Sequence, residues 1–103
     1  MVYYEVTEAV FDDLAKTELP VWLGPWVAER TLQVLGLAGR LRYCLKPWGL
    51  WHHYDVAKRQ VELAGPTCTV LEVLHEVAHA FEPRHNGLHL MSLQLLAEAW
   101  AEL

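Results

Sequence analysis

The chain has 103 residues, of which 53% are hydrophobic, and its formal net charge is −5. This length suits a single domain, residues 1–103, and the apolar content is high enough for a packed core, which excludes a disordered chain. A negative net charge argues against nucleic-acid binding, because proteins that bind nucleic acids carry basic surfaces for the phosphate backbone.

The start of the chain carries no targeting signal. Met1–Glu5 lacks both the basic residues and the apolar segment of a signal peptide. No apolar run in the sequence reaches the roughly 18 residues of a membrane span. We therefore expect a cytoplasmic protein with no membrane partner, and nothing in the sequence indicates its oligomeric state.

Two helices are predicted before the first strand. Thr7 can cap a helix over Glu8–Leu19, and Pro20 ends that helix. Pro25 suits the first turn of a second helix, which we place from Trp26 to about Leu35.

The middle of the chain predicts a short antiparallel sheet of about three strands. The segments Leu41–Leu45, Gly49–Tyr54 and Arg59–Ala64 are rich in strand-forming residues and are separated by breakers and turn residues. The short turn between the second and third strands indicates a hairpin. The basic residues between Arg40 and Arg59 are interpreted as a solvated strand face. Together with the helices, this predicts an α+β fold.

An H-E-x-x-H motif lies inside the apolar run Val70–Phe81. Its residues are His75, Glu76 and His79. Thr69-x-x-Glu72 has the spacing of a capping box, which predicts a helix through the motif to Phe81 or Glu82. Pro83 ends this helix. Asn86 can cap a last helix from Leu88 to the end of the chain.

The motif predicts a zinc site. Because His75 and His79 are four residues apart, they lie on one helix face, about one turn apart, where both imidazoles can reach one Zn²⁺. Glu76 can take the proton from an attacking water without binding the metal, which is the role of a general base. The alternative is a solvated helix face, since Glu72 and Glu82 fall on the same polar arc as the motif.

Catalytic zinc takes three protein ligands, so a third is expected beyond the motif. His85 follows the end of the helix at Pro83, where a chain that turns back brings a side chain beside the metal. His89, in the first turn of the last helix, and Glu98, further along it, are the alternatives. Neither His52 nor His53 is expected to bind metal, because adjacent strand residues point to opposite faces.

The two cysteines give no independent metal signal. Cys44 and Cys68 have neither CxxC spacing nor the density of a disulfide scaffold. We interpret both as free thiols, with a zinc-ligand role as the alternative.

The segments Gly49–Leu63 and Leu74–Ala80, with the following His85, resemble the core of a minimal zincin, closest in style to the SprT-like metallopeptidases. The resemblance covers about half the chain and is specific at the motif. It implies a zincin-like domain in which His75, His79 and a histidine from the next turn bind Zn²⁺ and Glu76 is the general base.

The activity that the resemblance implies is hydrolysis of peptide bonds in a peptide or protein substrate. Two other functions stay open. One is a non-catalytic module that keeps the zincin fold and binds metal or a protein partner, because so small a chain leaves little room for a substrate cleft. The other is an α+β domain whose motif helix is merely solvated.

Overall fold

The computed structural model describes residues 2–103, which form an α+β fold, as the sequence predicts. The helices are α1 (Tyr3–Val10), α2 (Asp12–Lys16), α3 (Gly24–Val34), α4 (Val70–Ala78) and α5 (Gly87–Ala101). The strands are β1 (Glu18–Pro20), β2 (Arg42–Lys46), β3 (His53–Asp55), β4 (Gln60–Ala64) and β5 (Thr67–Thr69). No helix within residues 2–103 is long and apolar enough to cross a bilayer.

The first helix begins earlier than predicted, and the predicted helix to Leu19 is wrong at its end, because α1 stops at Val10, α2 ends at Lys16 and Glu18–Pro20 form β1. Helix α1 starts at Tyr3 rather than Glu8, and Thr7 lies inside it instead of capping it. The Thr7 hydroxyl donates to the backbone oxygen of Tyr4 at 2.9 Å, and Thr7 is fully buried. Helical spacing places Tyr3 and Thr7 on the same face. This face packs inward, so tertiary burial decides the start of the helix.

The second predicted helix is confirmed with Pro25 in its first turn. It packs closely on the sheet through Gly24, where an added Cβ would lie 2.2 Å from Cδ1 of the buried Leu63. Gly36, with φ of 72°, follows the end of the helix. A left-handed glycine at this point is a common helix stop.

The main sheet is mixed, so the prediction of an antiparallel sheet is wrong for one strand pair. The strand order is β2-β4-β3, with β3 antiparallel and β2 parallel to the central β4. The segment between β2 and β3 therefore crosses the end of β4. It crosses at Gly49, where a Cβ would meet Cβ of Ala64 at 3.0 Å. A second sheet pairs β1 with β5.

Helix α4 lies at the centre of the molecule. Its capping box is formed as predicted: Thr69 Oγ1 accepts from Glu72 N at 3.1 Å, and Thr69 N donates to Glu72 Oε1 at 2.8 Å. The α-helix ends at Ala78, earlier than the predicted Phe81 or Glu82, because i→i−3 hydrogen bonds tighten the chain from His79 onward. Helices α3 and α5 and the sheet cover it.

Candidate metal centre

Three imidazole nitrogens converge between α4 and the turn that follows it. Nε2 of His85 lies 3.1 Å from Nε2 of His75 and 3.0 Å from Nε2 of His79. Nitrogens bound to a tetrahedral ion at about 2.0–2.1 Å are about 3.3 Å apart. The two separations at His85 are therefore slightly shorter than those in an occupied site.

The local sequence explains this convergence. His75 lies on α4, and His79 is the C-cap one helical turn later, so the two side chains share a face. Pro83 cannot continue the helix, so the chain reverses before α5 begins at Gly87. The reversal brings the His85 side chain back beside the face that carries His75 and His79.

Glu82 holds the turn that carries His85. Its Oε1 atom accepts from Nε of Arg84 at 2.8 Å and from Nδ2 of Asn86 at 2.9 Å. Glu82 is buried, and the guanidinium of Arg84, followed by the amide of Asn86, lowers the pKa of its carboxyl group. An ionised carboxylate thus joins the residues on either side of His85.

The hydrogen bonds of the rings differ between the two motif histidines. Nδ1 of His79 lies 3.1 Å from the backbone oxygen of Glu82. A carbonyl oxygen can only accept, so Nδ1 of His79 carries the proton and Nε2 keeps its lone pair for a metal. Nδ1 of His75 is buried and has no hydrogen-bond partner within residues 2–103. No hydrogen bond at Nδ1 therefore orients that ring.

The motif imidazoles favour the neutral form that binds metals. Burial, helped by the neighbouring imidazoles, lowers the pKa of His75 to about 3. Burial also lowers the pKa of His79. Proton competition at these two side chains is therefore weak at neutral pH.

His89 also lies close to this cluster. Ring nitrogens of His75, His79 and His89 lie within 4.8 Å of one another, so these three residues can hold a metal ion. However, Nε2 of His89 lies 3.0 Å from the backbone oxygen of His75, and Nδ1 lies 2.6 Å from the Tyr3 hydroxyl. Both nitrogens of His89 are thus engaged. Nε2 of His85, which is not part of this group, instead lies about 3 Å from the Nε2 atoms of both motif histidines.

Glu76 borders the same space. Glu76 is only 8% exposed, and His75 is 5% exposed, so the motif does not lie on a solvated helix face. Burial raises the pKa of Glu76 to about 7. The nearby His52 acts to lower this pKa, and Glu72 acts to raise it. A carboxyl group with this pKa can exchange a proton near neutral pH.

A cleft of about 480 Å³ opens over these side chains. Its volume falls within the range of roughly 300–1,000 Å³ that is usual for ligand sites. The lining includes Tyr4, Trp51, His53, Tyr54, Glu76 and His85. Tyr4 was not anticipated from the sequence, because Tyr3 and Tyr4 precede the first predicted helix.

Strand β3 forms one border of the cleft. It pairs with β4 on one side and is at the edge of the three-stranded sheet. His52, His53 and Tyr54 all line the cleft. His52 precedes the strand, which begins at His53.

His52 is a structural link between the sheet and α4. Its Nδ1 accepts from the backbone N of Ala64 at 3.0 Å, and its Nε2 lies 3.1 Å from Glu72 Oε2. The Glu72 carboxylate raises the pKa of His52. Protonation of Nδ1 would break the hydrogen bond from the Ala64 N–H, which needs the Nδ1 lone pair. The geometry therefore favours the neutral His52 ring. His52 has no free nitrogen for a metal.

Two further sequence candidates lie outside the cluster. Glu98 is exposed on α5, and no metal-binding group found within residues 2–103 includes it. Cys44 and Cys68 are free thiols, as the sequence predicts, and neither joins such a group.

No protein-family model, no curated protein and no solved structure matches this chain. The interpretation of the site therefore depends on its own residues and geometry.

Proposed function

We propose that this protein is a zinc-dependent metallopeptidase that hydrolyses peptide bonds in an extended peptide or protein substrate. One observation carries the proposal. Nε2 of His85 lies about 3 Å from the Nε2 atoms of both His75 and His79, and these side chains line an open cleft together with the buried Glu76. Three histidines with one open position are the donor set of a catalytic zinc site.

The donor set fits zinc better than other common ions. Three imidazole ligands with no carboxylate among them suit Zn²⁺, whereas Mg²⁺ and Ca²⁺ prefer oxygen ligands. His85 is exposed at the cleft mouth, which leaves room for water and substrate on the open side. When bound, zinc would lower the pKa of a water molecule and polarise the substrate carbonyl group.

Glu76 acts as general base in this proposal. Its carboxylate takes a proton from the attacking water and returns it to the nitrogen of the leaving amine. Glu76 is 8% exposed and lines the cleft, so its carboxyl group exchanges protons with the molecules that occupy the cleft.

Tyr4 is placed to stabilise the negative charge that develops on the carbonyl oxygen. It lines the cleft, and its ring centroid lies 5.7 Å from that of His75. Burial raises the pKa of Tyr4 to about 12, so the phenol remains a hydrogen-bond donor at neutral pH. Arg84 is less suitable, because its side chain is 79% exposed and pairs with Glu82.

Strand β3 provides a way to hold an extended substrate. An edge strand offers unpaired backbone groups, to which a peptide can add as a further strand. His53 and Tyr54 on β3 border the cleft, so a peptide paired with this edge would pass over the histidine cluster. This supports a polypeptide substrate over a compact small molecule.

The test compares zinc content and hydrolysis in four proteins: the wild type, Glu76→Gln, His75→Ala and the control Glu98→Gln. An unfolded protein and a peptide pool serve as substrates. We expect one zinc per chain in the wild type and in both glutamate variants, and among these three proteins only Glu76→Gln should lose hydrolysis. His75→Ala should lose both zinc and hydrolysis.

Other outcomes would refute parts of the proposal. A Glu76→Gln protein that still hydrolyses the substrates would remove the general-base role. Zinc bound by the wild type without any cleavage would favour the non-catalytic binding module. No zinc after reconstitution would overturn the metal centre itself.

A further inference from the structure

Tyr3 and His89 form a connected pair behind the three converging imidazoles. His89 is fully buried in the first turn of α5. It lies with Nε2 at 3.0 Å from the backbone oxygen of His75 and Nδ1 at 2.6 Å from the Tyr3 hydroxyl. The Tyr3 ring in turn stacks on His85, with centroids 4.9 Å apart and planes 13° apart.

These contacts fix the direction of each hydrogen bond. A backbone oxygen can only accept, so Nε2 of His89 is the protonated nitrogen and donates to His75. In the neutral ring, Nδ1 of His89 then has a lone pair and accepts from the Tyr3 hydroxyl. His89 therefore has no lone pair left for a metal unless one of these bonds breaks.

We propose that Tyr3 and His89 are positioning residues of the metal centre, which hold His75 and His85 in place from outside the ligand set. His89 donates a hydrogen bond to the backbone oxygen of His75, and the Tyr3 ring stacks on the ring of His85. The inference rests on the metal centre of the proposed function and does not depend on its peptidase activity.

The proposal gives helix α1 a role in the centre. The ring of His85 is exposed, and a side chain in an exposed turn samples several rotamers unless another group restrains it. Stacking on Tyr3 restricts that freedom. Nδ1 of His75 has no hydrogen-bond partner to orient its ring. The placement of this side chain therefore depends on the His75 backbone, to which His89 is hydrogen-bonded.

The test measures Co²⁺ binding, because the visible spectrum of Co²⁺ reports the number and geometry of its ligands. The variants are Tyr3→Phe, Tyr3→Leu, His89→Gln and His89→Ala, with His85→Ala as the ligand-loss reference. Tyr43→Phe is the matched control, since the Tyr43 hydroxyl also donates to a side chain, Glu29, outside the histidine cluster. Affinity is measured by competition with a chelator.

Loss of a group that positions a ligand typically weakens metal binding about 10- to 100-fold. We expect a weakening of this size in Tyr3→Leu and His89→Ala, with a spectrum that keeps the wild-type ligand number. Tyr3→Phe keeps the stacked ring and should lose only about 2- to 10-fold, which corresponds to one hydrogen bond. His89→Gln can still donate to the His75 oxygen and should bind more tightly than His89→Ala. Tyr43→Phe should bind as the wild type does.

Three results would overturn the inference, and they are distinguishable. Wild-type affinity in folded Tyr3→Leu and His89→Ala would remove the positioning role alone. If the Co²⁺ spectrum of His89→Ala showed one ligand fewer than the wild type, and His85→Ala still bound Co²⁺ as the wild type does, His89 would be the third ligand. A wild-type chain that binds no Co²⁺ would overturn the metal centre and this inference together.

Discussion

The turn between α4 and α5 depends on Asn86, which provides a sharp test of how the third histidine is placed. Its Oδ1 atom accepts from the backbone N of Leu88 at 3.0 Å and of His89 at 3.1 Å, which caps α5. Its Nδ2 atom donates to Glu82 at 2.9 Å. One side chain therefore fixes both the start of α5 and the end of the turn that carries His85.

Replacing Asn86 with alanine removes both functions. Loss of an Asn cap costs about 0.5–2 kcal/mol, and the broken bond to Glu82 adds to this cost. We expect Asn86→Ala to lower the free energy of unfolding by at least about 1 kcal/mol, which lowers Tm by about 4–8 °C in a domain of this size. Zinc affinity should fall as well, because the turn no longer holds His85.

Two matched variants separate the functions of this side chain. Asn86→Ser keeps a good cap and loses only the bond to Glu82, so it should lie between the wild type and the alanine variant. Asn86→Asp also keeps the cap but places a carboxylate against Glu82, so it should be less stable than Asn86→Ser. Urea unfolding of the metal-free proteins at neutral pH measures all four stabilities.

The reasoning would be refuted if Asn86→Asp were as stable as the wild type, because the contact with Glu82 would then contribute nothing. It would also be refuted if Asn86→Ala unfolded as the wild type does. A stability loss with unchanged zinc affinity would show that His85 is positioned independently of the cap.

Three further predictions concern stability. Zinc at about 1,000 times its Kd should raise the free energy of unfolding by about 4 kcal/mol, and thermal melts of His85→Ala with and without zinc should show a smaller gain. Burial raises the pKa of Cys68 to about 11 from 9.0, so its contribution to stability is present below pH 9 and is lost as pH rises toward 11. In urea titrations under reducing conditions, this loss of about 2–3 kcal/mol should be absent from Cys68→Ala. Gly49→Ala should cost about 1–3 kcal/mol in urea unfolding, because its Cβ would approach Ala64, whereas Gly87→Ala, with nothing within 4 Å, should change stability by no more than about 0.5 kcal/mol.

The elements that the sequence predicted well are those whose boundaries are marked by local chemistry. The capping box of Thr69 and Glu72 begins α4, Pro25 lies in the first turn of α3, and Asn86 caps α5. Each signal acts over a few residues and needs no knowledge of the rest of the fold. The start of α1 lacked such a signal, since no side chain caps it, and its helical form depends on packing against distant residues.

The order of strands in the sheet could not be predicted for a related reason. A hairpin signal identifies β3 and β4 as neighbours, and this prediction is confirmed. The position of β2 depends instead on where the segment around Gly49 crosses, and this is decided by the fit of one glycine against Ala64. Alternation of polar and apolar residues gives the faces of a strand but not its neighbours.

The third ligand shows where sequence spacing stops being informative. His85 and His89 both follow the motif closely enough for a reversing chain to bring either one back to the metal. Sequence spacing alone therefore does not decide which of them is the third ligand. What distinguishes them is the occupation of their nitrogens. The carbonyl oxygen of His75 and the hydroxyl of Tyr3 engage both nitrogens of His89, and Tyr3 lies 86 residues away in the chain. Since a nitrogen that donates to a carbonyl cannot also bind a metal, this long-range contact supports the proposal in which His85 is the third ligand and His89 positions the site.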